Sequence, residues 1–162
     1  MFVDSDFAGC LRTRKSTVGG CAKLGSHCLK TFSKTLPVLA LSTGEAELMG
    51  VVRGTTELLG LRALYKDMGL SFQLAVRSDA TAAIGMVARV GLGKVRHLSV
   101  SDLWVQQFAR KGLVQYFKMC GAQNPADLLT KAVDAATMWK HMACIGQIVL
   151  AGRAKSAPQR RK

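Results

Sequence analysis

The hydrophobic pattern of this chain changes period several times, and the order of the changes predicts a sheet packed with helices. Met1 to Asp6 reads as a strand that reaches Asp4 almost at once. Ala8 to Ser16 is a turn holding Gly9 and the basic residues Arg12, Arg14 and Lys15. Thr17 to Leu24 and His27 to Ser33 read as two strands joined at Gly25-Ser26, a hairpin signal. Ser42 to Met68 is the clearest helix: Ser42-Thr43-Gly44-Glu45 matches a capping box and Gly69 supplies the stop. Along it Glu47, Val51, Gly54, Leu58, Leu61, Tyr65 and Met68 fall on one stripe at helical spacing, and only Glu47 is out of place on a core-facing surface. Phe72 to Ser78 is apolar at every second position, as a strand is, and Asp79 ends it. An Ala-rich helix follows over Ala80 to Arg89, then a basic loop to Arg96, a helix over Leu98 to Arg110 and a last strand over Leu113 to Met119. Asn124-Pro125 opens another helix with a cap residue and a first-turn proline, and Ala135 to Ile145 continues as helix. Hairpin-linked strands followed by strand–helix units give an α/β fold with one mixed sheet flanked by helices.

Composition narrows what such a fold can be for. The 162 residues are enough for one domain with a real core, and 49% of them are hydrophobic, which excludes a disordered chain. No apolar run reaches bilayer length and no secretory signal opens the sequence, so neither a membrane span nor export is expected. Five cysteines without a CxxC pair argue against a disulfide framework and against a structural zinc site, which favours a reducing, intracellular compartment. They are expected to be buried, inert thiols. The net charge is +13, and setting aside the tail residues Arg153, Lys155, Arg160, Arg161 and Lys162 still leaves +8 on the body. A basic body without a strongly amphipathic basic helix favours nucleic acid as the partner.

Against that background the acidic residues stand out, since there are 10 of them to 23 basic ones. Asp4 ends a strand, Asp79 lies between a strand and a helix, Asp127 sits in the first turn of a helix, and Glu47 points along an apolar stripe. Each has an ordinary explanation alone: a turn, an N-cap, a helix dipole, or a glutamate at the open end of a stripe. Asp6 is the better turn residue, which leaves Asp4 free, and Glu45 completes the capping box, which leaves Glu47 free. Open α/β sheets bind ligands at the carboxyl ends of strands, where Asp79 falls. Four gathered carboxylates in a basic protein suggest a site for divalent cations beside a phosphate polymer.

The motifs also carry a resemblance. Val3-Asp4-Ser5-Asp6-Phe7-Ala8-Gly9, Arg14-Lys15-Ser16-Thr17 and Ser42-Thr43-Gly44-Glu45-Ala46-Glu47 resemble the ribonuclease H domain of copia-type LTR retrotransposon polyproteins. Ser78-Asp79-Ala80-Thr81-Ala82-Ala83, Lys94-Val95-Arg96-His97 and Asn124-Pro125-Ala126-Asp127-Leu128-Leu129-Thr130-Lys131 continue it in the same order. The resemblance, over roughly residues 2 to 133, implies the ribonuclease H-like fold with a five-stranded mixed sheet, here over 1–150; the chain departs from it in a first strand that reads as cut short at the N-terminus, and the basic tail over 151–162 reads as disordered. It implies an endonuclease that hydrolyses the RNA strand of RNA–DNA hybrids during reverse transcription, linked to a reverse transcriptase domain in the parent polyprotein. It implies two Mg²⁺ ions, with Mn²⁺ as substitute. Asp4 would bridge them, Glu47 and Asp79 would complete one site and Asp127 the other. Two such cations about 4 Å apart clamp a scissile phosphate.

Arg12, Arg14, Lys15, Ser16, Lys94, Arg96 and His97 are the candidate contacts to nucleic acid, with solvated basic loops as the plain alternative. His27 and His141 lack partners at useful spacing, and Trp104 and Phe108 read as core. The sequence departs from the family at Phe7, where Trp is frequent, and at Ala132, where Pro is frequent. The compartment implied is a cytoplasmic retroelement particle or the nucleus. The alternative function is a degenerate or domesticated copy that binds nucleic acid without cleaving it; another nuclease or transposase of this fold, acting on DNA, fits the motifs less well.

Overall fold

A computed structural model of the chain describes residues 1–93, 100–148 and 152. Five strands form one sheet: β1 (Phe2–Ser5), β2 (Thr17–Leu24), β3 (His27–Thr35), β4 (Ala75–Ser78) and β5 (Gln115–Lys118), in the order β3-β2-β1-β4-β5. The β2–β3 hairpin turns at Gly25-Ser26, where Gly25 takes a φ of 58° that side chains disfavour. β1 pairs antiparallel with β2, opposing Asp4 to Gly19, and parallel with β4, which in turn pairs parallel with β5. The sheet is therefore mixed, as the hydrophobic pattern predicts. β4 is shorter than the alternating stretch that announces it. Leu74 is buried without lying in the strand, and Phe72 packs edge-to-face on Tyr65 at 5.1 Å. Alternation there marks burial beyond the ladder's end, although Gln115 N of β5 still donates to Leu74 O at 2.9 Å.

Among the described residues four α-helices accompany the sheet: α1 (Thr43–Asp67), α2 (Thr81–Ala88), α3 (Trp104–Arg110) and α4 (Ala135–Cys144). Ser42 caps α1, its hydroxyl accepting from Glu45 N at 3.2 Å, while the Glu45 carboxylate reaches back to Leu41 N at 2.6 Å. The capping box thus closes one residue earlier than its usual partner. The stripe of α1 is buried at Glu47, Val51, Gly54 and Leu58, half-buried at Leu61 and Tyr65, and Met68 is exposed. At about 1.5 Å per residue the 25-residue helix is roughly 37 Å long, against roughly 30 Å for the nine-residue β3, so its end overhangs the sheet. Gly54 lets α1 come close to β1: a Cβ there would lie 2.3 Å from Val3 Cγ1. Glu57 fastens the helix to the edge strand β3 through Lys30 at 2.5 Å and, within the helix, pairs with Arg53 at 2.6 Å.

The core lies between the sheet and α1, α2 and α3, with Val3, Val18, Leu48, Val51, Val76, Val87, Val105 and Val114 all buried. Gln106 of α3 ties off the end of α2, donating to Met86 O at 2.8 Å and Gly91 O at 3.0 Å while accepting from Gly91 N at 2.9 Å. Trp104 and Phe108, stacked edge-to-face at 5.0 Å, pack against the core. Side chains alternate across a strand, so Val18 meets α1 while Gly19 faces the opposite side. That side is covered by a 3₁₀ segment, Pro125–Leu129, where the Asn124-Pro125 signal predicts a helix. α4 packs against the same segment and buries His141, whose Nδ1 has no hydrogen-bond partner among the described residues. Of the cysteines only Cys21 is buried; Cys10 and Cys28 are half-buried and Cys120 and Cys144 exposed, which corrects the expectation of buried thiols. Among the described residues no helix is long and apolar enough to cross a membrane.

Candidate metal centre

β1 and β4 run parallel, so their carboxyl ends open at the same edge of the sheet. Asp4 lies near the end of β1 and Asp79 is one residue past the end of β4. Glu47 is in the first turns of α1, which crosses β1 closely enough that a Cβ on Gly50 would stand 3.5 Å from Asp4 O. Three secondary elements thus converge on one point, and Asp4, Glu47 and Asp79 offer carboxylate oxygens all within 4.8 Å of one another.

None of the three is spent on local structure in the way its position allows. Asp6 does the turn work, accepting from Thr17 N at 2.7 Å and Gly9 N at 3.4 Å. No side chain caps α2, and the Ser78 hydroxyl accepts from Ala80 N at 3.1 Å. Glu47 is buried and its Oε2 has no hydrogen-bond partner among the described residues. Burial, reinforced by the charges of Asp4 and Asp79, pushes the Glu47 carboxyl up to about 8. Burial pushes Asp4 up to about 6 against the pull of the Thr130 hydroxyl and the Lys131 ammonium. A dry, crowded set of carboxylates is costly until positive charge arrives. An all-oxygen set with an orphaned carboxyl oxygen suits a hard divalent cation, so the donor set fits Mg²⁺ chemistry.

Asp127 reaches the neighbourhood from the far face. Asn124, fully buried, donates from Nδ2 to Val3 O at 2.9 Å and accepts from Ala126 N at 3.2 Å, pinning the Pro125–Leu129 segment to β1. Gly19 makes room for it: a Cβ there would lie 2.6 Å from Leu129 Cβ and 2.9 Å from Thr130 Cγ2. Asp127 is not part of the three-carboxylate group. It meets Asp4 through Lys131, whose Nζ lies 3.1 Å from Asp127 Oδ1 and 3.3 Å from Asp4 Oδ2. Burial draws the Lys131 ammonium down, but Asp4 and Asp127 outweigh it and raise it. The Thr130 hydroxyl also donates to Asp4. Reading the sequence for carboxylates passes over Thr130 and Lys131; the i,i+4 spacing of Asp127 and Lys131 was the available signal.

The basic candidates divide. Arg12 and Arg14 are exposed on the loop that leaves the end of β1, at the same edge as the carboxylates. Lys15 is half-buried and donates to Pro37 O at 2.6 Å. Ser16 is buried and accepts from Ala8 N at 3.0 Å, so it braces the loop from within rather than facing a ligand. Lys94, Arg96 and His97 lie outside the described residues.

No protein-family model matches the chain. It is 28% identical over 134 residues, 82% of its length, to the retrovirus-related Pol polyprotein from transposon TNT 1-94 of Nicotiana tabacum. The chain resembles the ribonuclease H domain of a copia-type Pol polyprotein. It spans about a tenth of that polyprotein's length, with 10% covered. A second relative, an uncharacterised mitochondrial protein of Arabidopsis thaliana, is 39% identical over 57 residues, 35% of the chain and 24% of the relative. Among solved structures, the crystal structure of LC11-RNase H1 in complex with an RNA/DNA hybrid superposes with a TM-score of 0.56, covering 79% of this chain and 90% of that one at 13% identity. The fold is thus ribonuclease H-like, with the mixed five-stranded sheet described above.

Proposed function

We propose that this chain is an endonuclease that hydrolyses the RNA strand of RNA–DNA hybrids with divalent cations held by its carboxylates. The observation that carries the reading is the meeting of Asp4, Glu47 and Asp79 within 4.8 Å at the carboxyl edge of a ribonuclease H-like sheet. These three would hold one cation, and Asp4 with Asp127 would hold a second. Bound there, Mg²⁺ or Mn²⁺ supplies an activated water and charge to offset what builds on the phosphate.

The chain's own residues do the rest. The Thr130 hydroxyl and the Lys131 ammonium fix the orientation of the Asp4 carboxylate. Asn124 holds the Asp127 segment at the correct depth on β1. Burial of Glu47 keeps bulk water from competing for the carboxylates. Arg12 and Arg14 are positioned to meet the phosphates of a duplex lying across this edge.

The test is cleavage of a labelled RNA–DNA hybrid with and without Mg²⁺. Asp79→Asn removes one ligand charge at constant size, and should lower the rate by roughly 10²–10³-fold or more while the chain still folds, since groups that stabilise reaction charge carry effects of that order. A mutant cutting at the wild-type rate would refute the metal assignment. Tight hybrid binding with no cleavage by the wild type would favour the degenerate, non-cleaving copy.

A further inference from the structure

Lys131 stands outside the three-carboxylate group, yet its ammonium fills the gap between the two carboxylates left for a second cation. Its Nζ is 3.3 Å from Asp4 Oδ2, 3.4 Å from Asp4 Oδ1 and 3.1 Å from Asp127 Oδ1. We propose that Lys131 is a built-in cation occupying the Asp4–Asp127 seat, so that a second divalent ion enters only by displacing the ammonium. The inference rests on the reading of Asp4, Glu47 and Asp79 as the seat of a first ion.

Three observations support it. The first is space. A hard divalent cation shared by Asp4 and Asp127 must come within about 2–2.6 Å of their oxygens, and an ammonium already beside those same oxygens takes that volume. The second is charge. Four carboxylates are nearly neutralised by one divalent ion together with the Lys131 ammonium, so the second ion meets little unbalanced negative charge until a phosphate enters. The third is freedom to leave. The Lys131 side chain is 43% exposed, and its four-carbon stem can swing outward without moving the backbone that holds Asp127. A displaced ammonium stays within reach of the incoming phosphate. Lys131 would thereby couple arrival of the second ion to arrival of substrate, and act as a positioning residue rather than a reacting one.

The test is Mn²⁺ binding to the whole 162-residue chain without nucleic acid, followed by the resonance signal of free Mn²⁺. The wild type should bind one ion tightly. Lys131→Met should leave that ion in place and bind a second about tenfold or more tightly than the wild type does, because a like charge has been removed from beside it. Lys131→Gln, which keeps a hydrogen-bond donor for Asp4, should do the same and serves if the methionine variant is poorly folded. Adding Asp127→Asn to either variant should abolish the second site and spare the first. Two equivalent ions in the wild type, unchanged by Lys131→Met, would overturn the inference while leaving the first seat intact. No bound ion in any variant would overturn the underlying reading and this inference together.

Discussion

Glu47 shows how one residue can sit against the logic of its own helix. It occupies a buried position on an apolar stripe, with one carboxylate oxygen unpartnered and two further carboxylates close by. Such a group holds its proton longer when folded than when unfolded. Its carboxyl is raised from about 4.5 to about 8, and that of Asp4 from 3.8 to about 6. At these two groups the folded state therefore binds more protons than the unfolded state, and their contribution to stability falls as pH rises through that window, by more than the Met1 ammonium, lowered by burial to about 6, returns over part of it. Below the unfolded values the difference vanishes; above about 8 the penalty is complete. We expect urea unfolding in EDTA to give a less stable protein at pH 8.5 than at pH 5.5, with Mg²⁺ removing most of the difference. Equal stability at the two values in EDTA, in a chain whose amino terminus is acetylated to remove the opposing Met1 ammonium, would mean that Glu47 and Asp4 are better solvated than their burial indicates.

At the scale of elements, the site depends on how closely the Pro125–Leu129 segment approaches the sheet, and Gly19 controls that approach. A methyl group at Gly19 would collide with Leu129, Thr130 and the Ala126 carbonyl, pushing away the segment that carries Asp127 and Lys131. Gly19→Ala should cost about 1–3 kcal/mol, the usual range for overpacking. Gly60→Ala is the matched control: it lies mid-helix in α1 with nothing within 4 Å of its added carbon, and should stabilise by about 0.5–1 kcal/mol. Denaturant midpoints moving in the same direction would contradict the packing described for β2. Much of the rest was legible beforehand. The hairpin at Gly25-Ser26, the long capped helix and the order of strands follow from local chemistry, and so does the suspicion that falls on a Glu in an apolar stripe. What was not legible depends on distant partners. Nothing near Gly19 announces a meeting with residues 129 and 130, and nothing near Lys131 announces Asp4, which is 127 residues away. Ser16 and Lys15 looked like phosphate ligands because they sit in a basic turn; only the fold turns the first inward and ties the second to Pro37.

For the molecule as a whole, the carboxylate site and the net charge of +13 pull a phosphate polymer in opposite directions. A cluster of acidic groups repels the backbone it is proposed to cut, so the surrounding surface must supply the attraction. That attraction is electrostatic and of long range, and it releases condensed counterions from the nucleic acid. Hybrid affinity should therefore fall steeply with salt, with a log–log slope set by how many phosphates the protein neutralises. Arg12 and Arg14 are exposed at the edge where β1 ends, so replacing both with Ala should lower that slope by about two, roughly one for each arginine removed. Ser16→Ala, which removes a buried hydroxyl bonded to Ala8 N, should lower stability and leave the slope unchanged. Titrating labelled hybrid at several salt concentrations separates these outcomes. A flat salt response in the wild type would sink the basic-surface argument. A steep slope insensitive to Arg12 and Arg14 would move the binding face away from the β1–β2 loop while leaving the carboxylate site untouched.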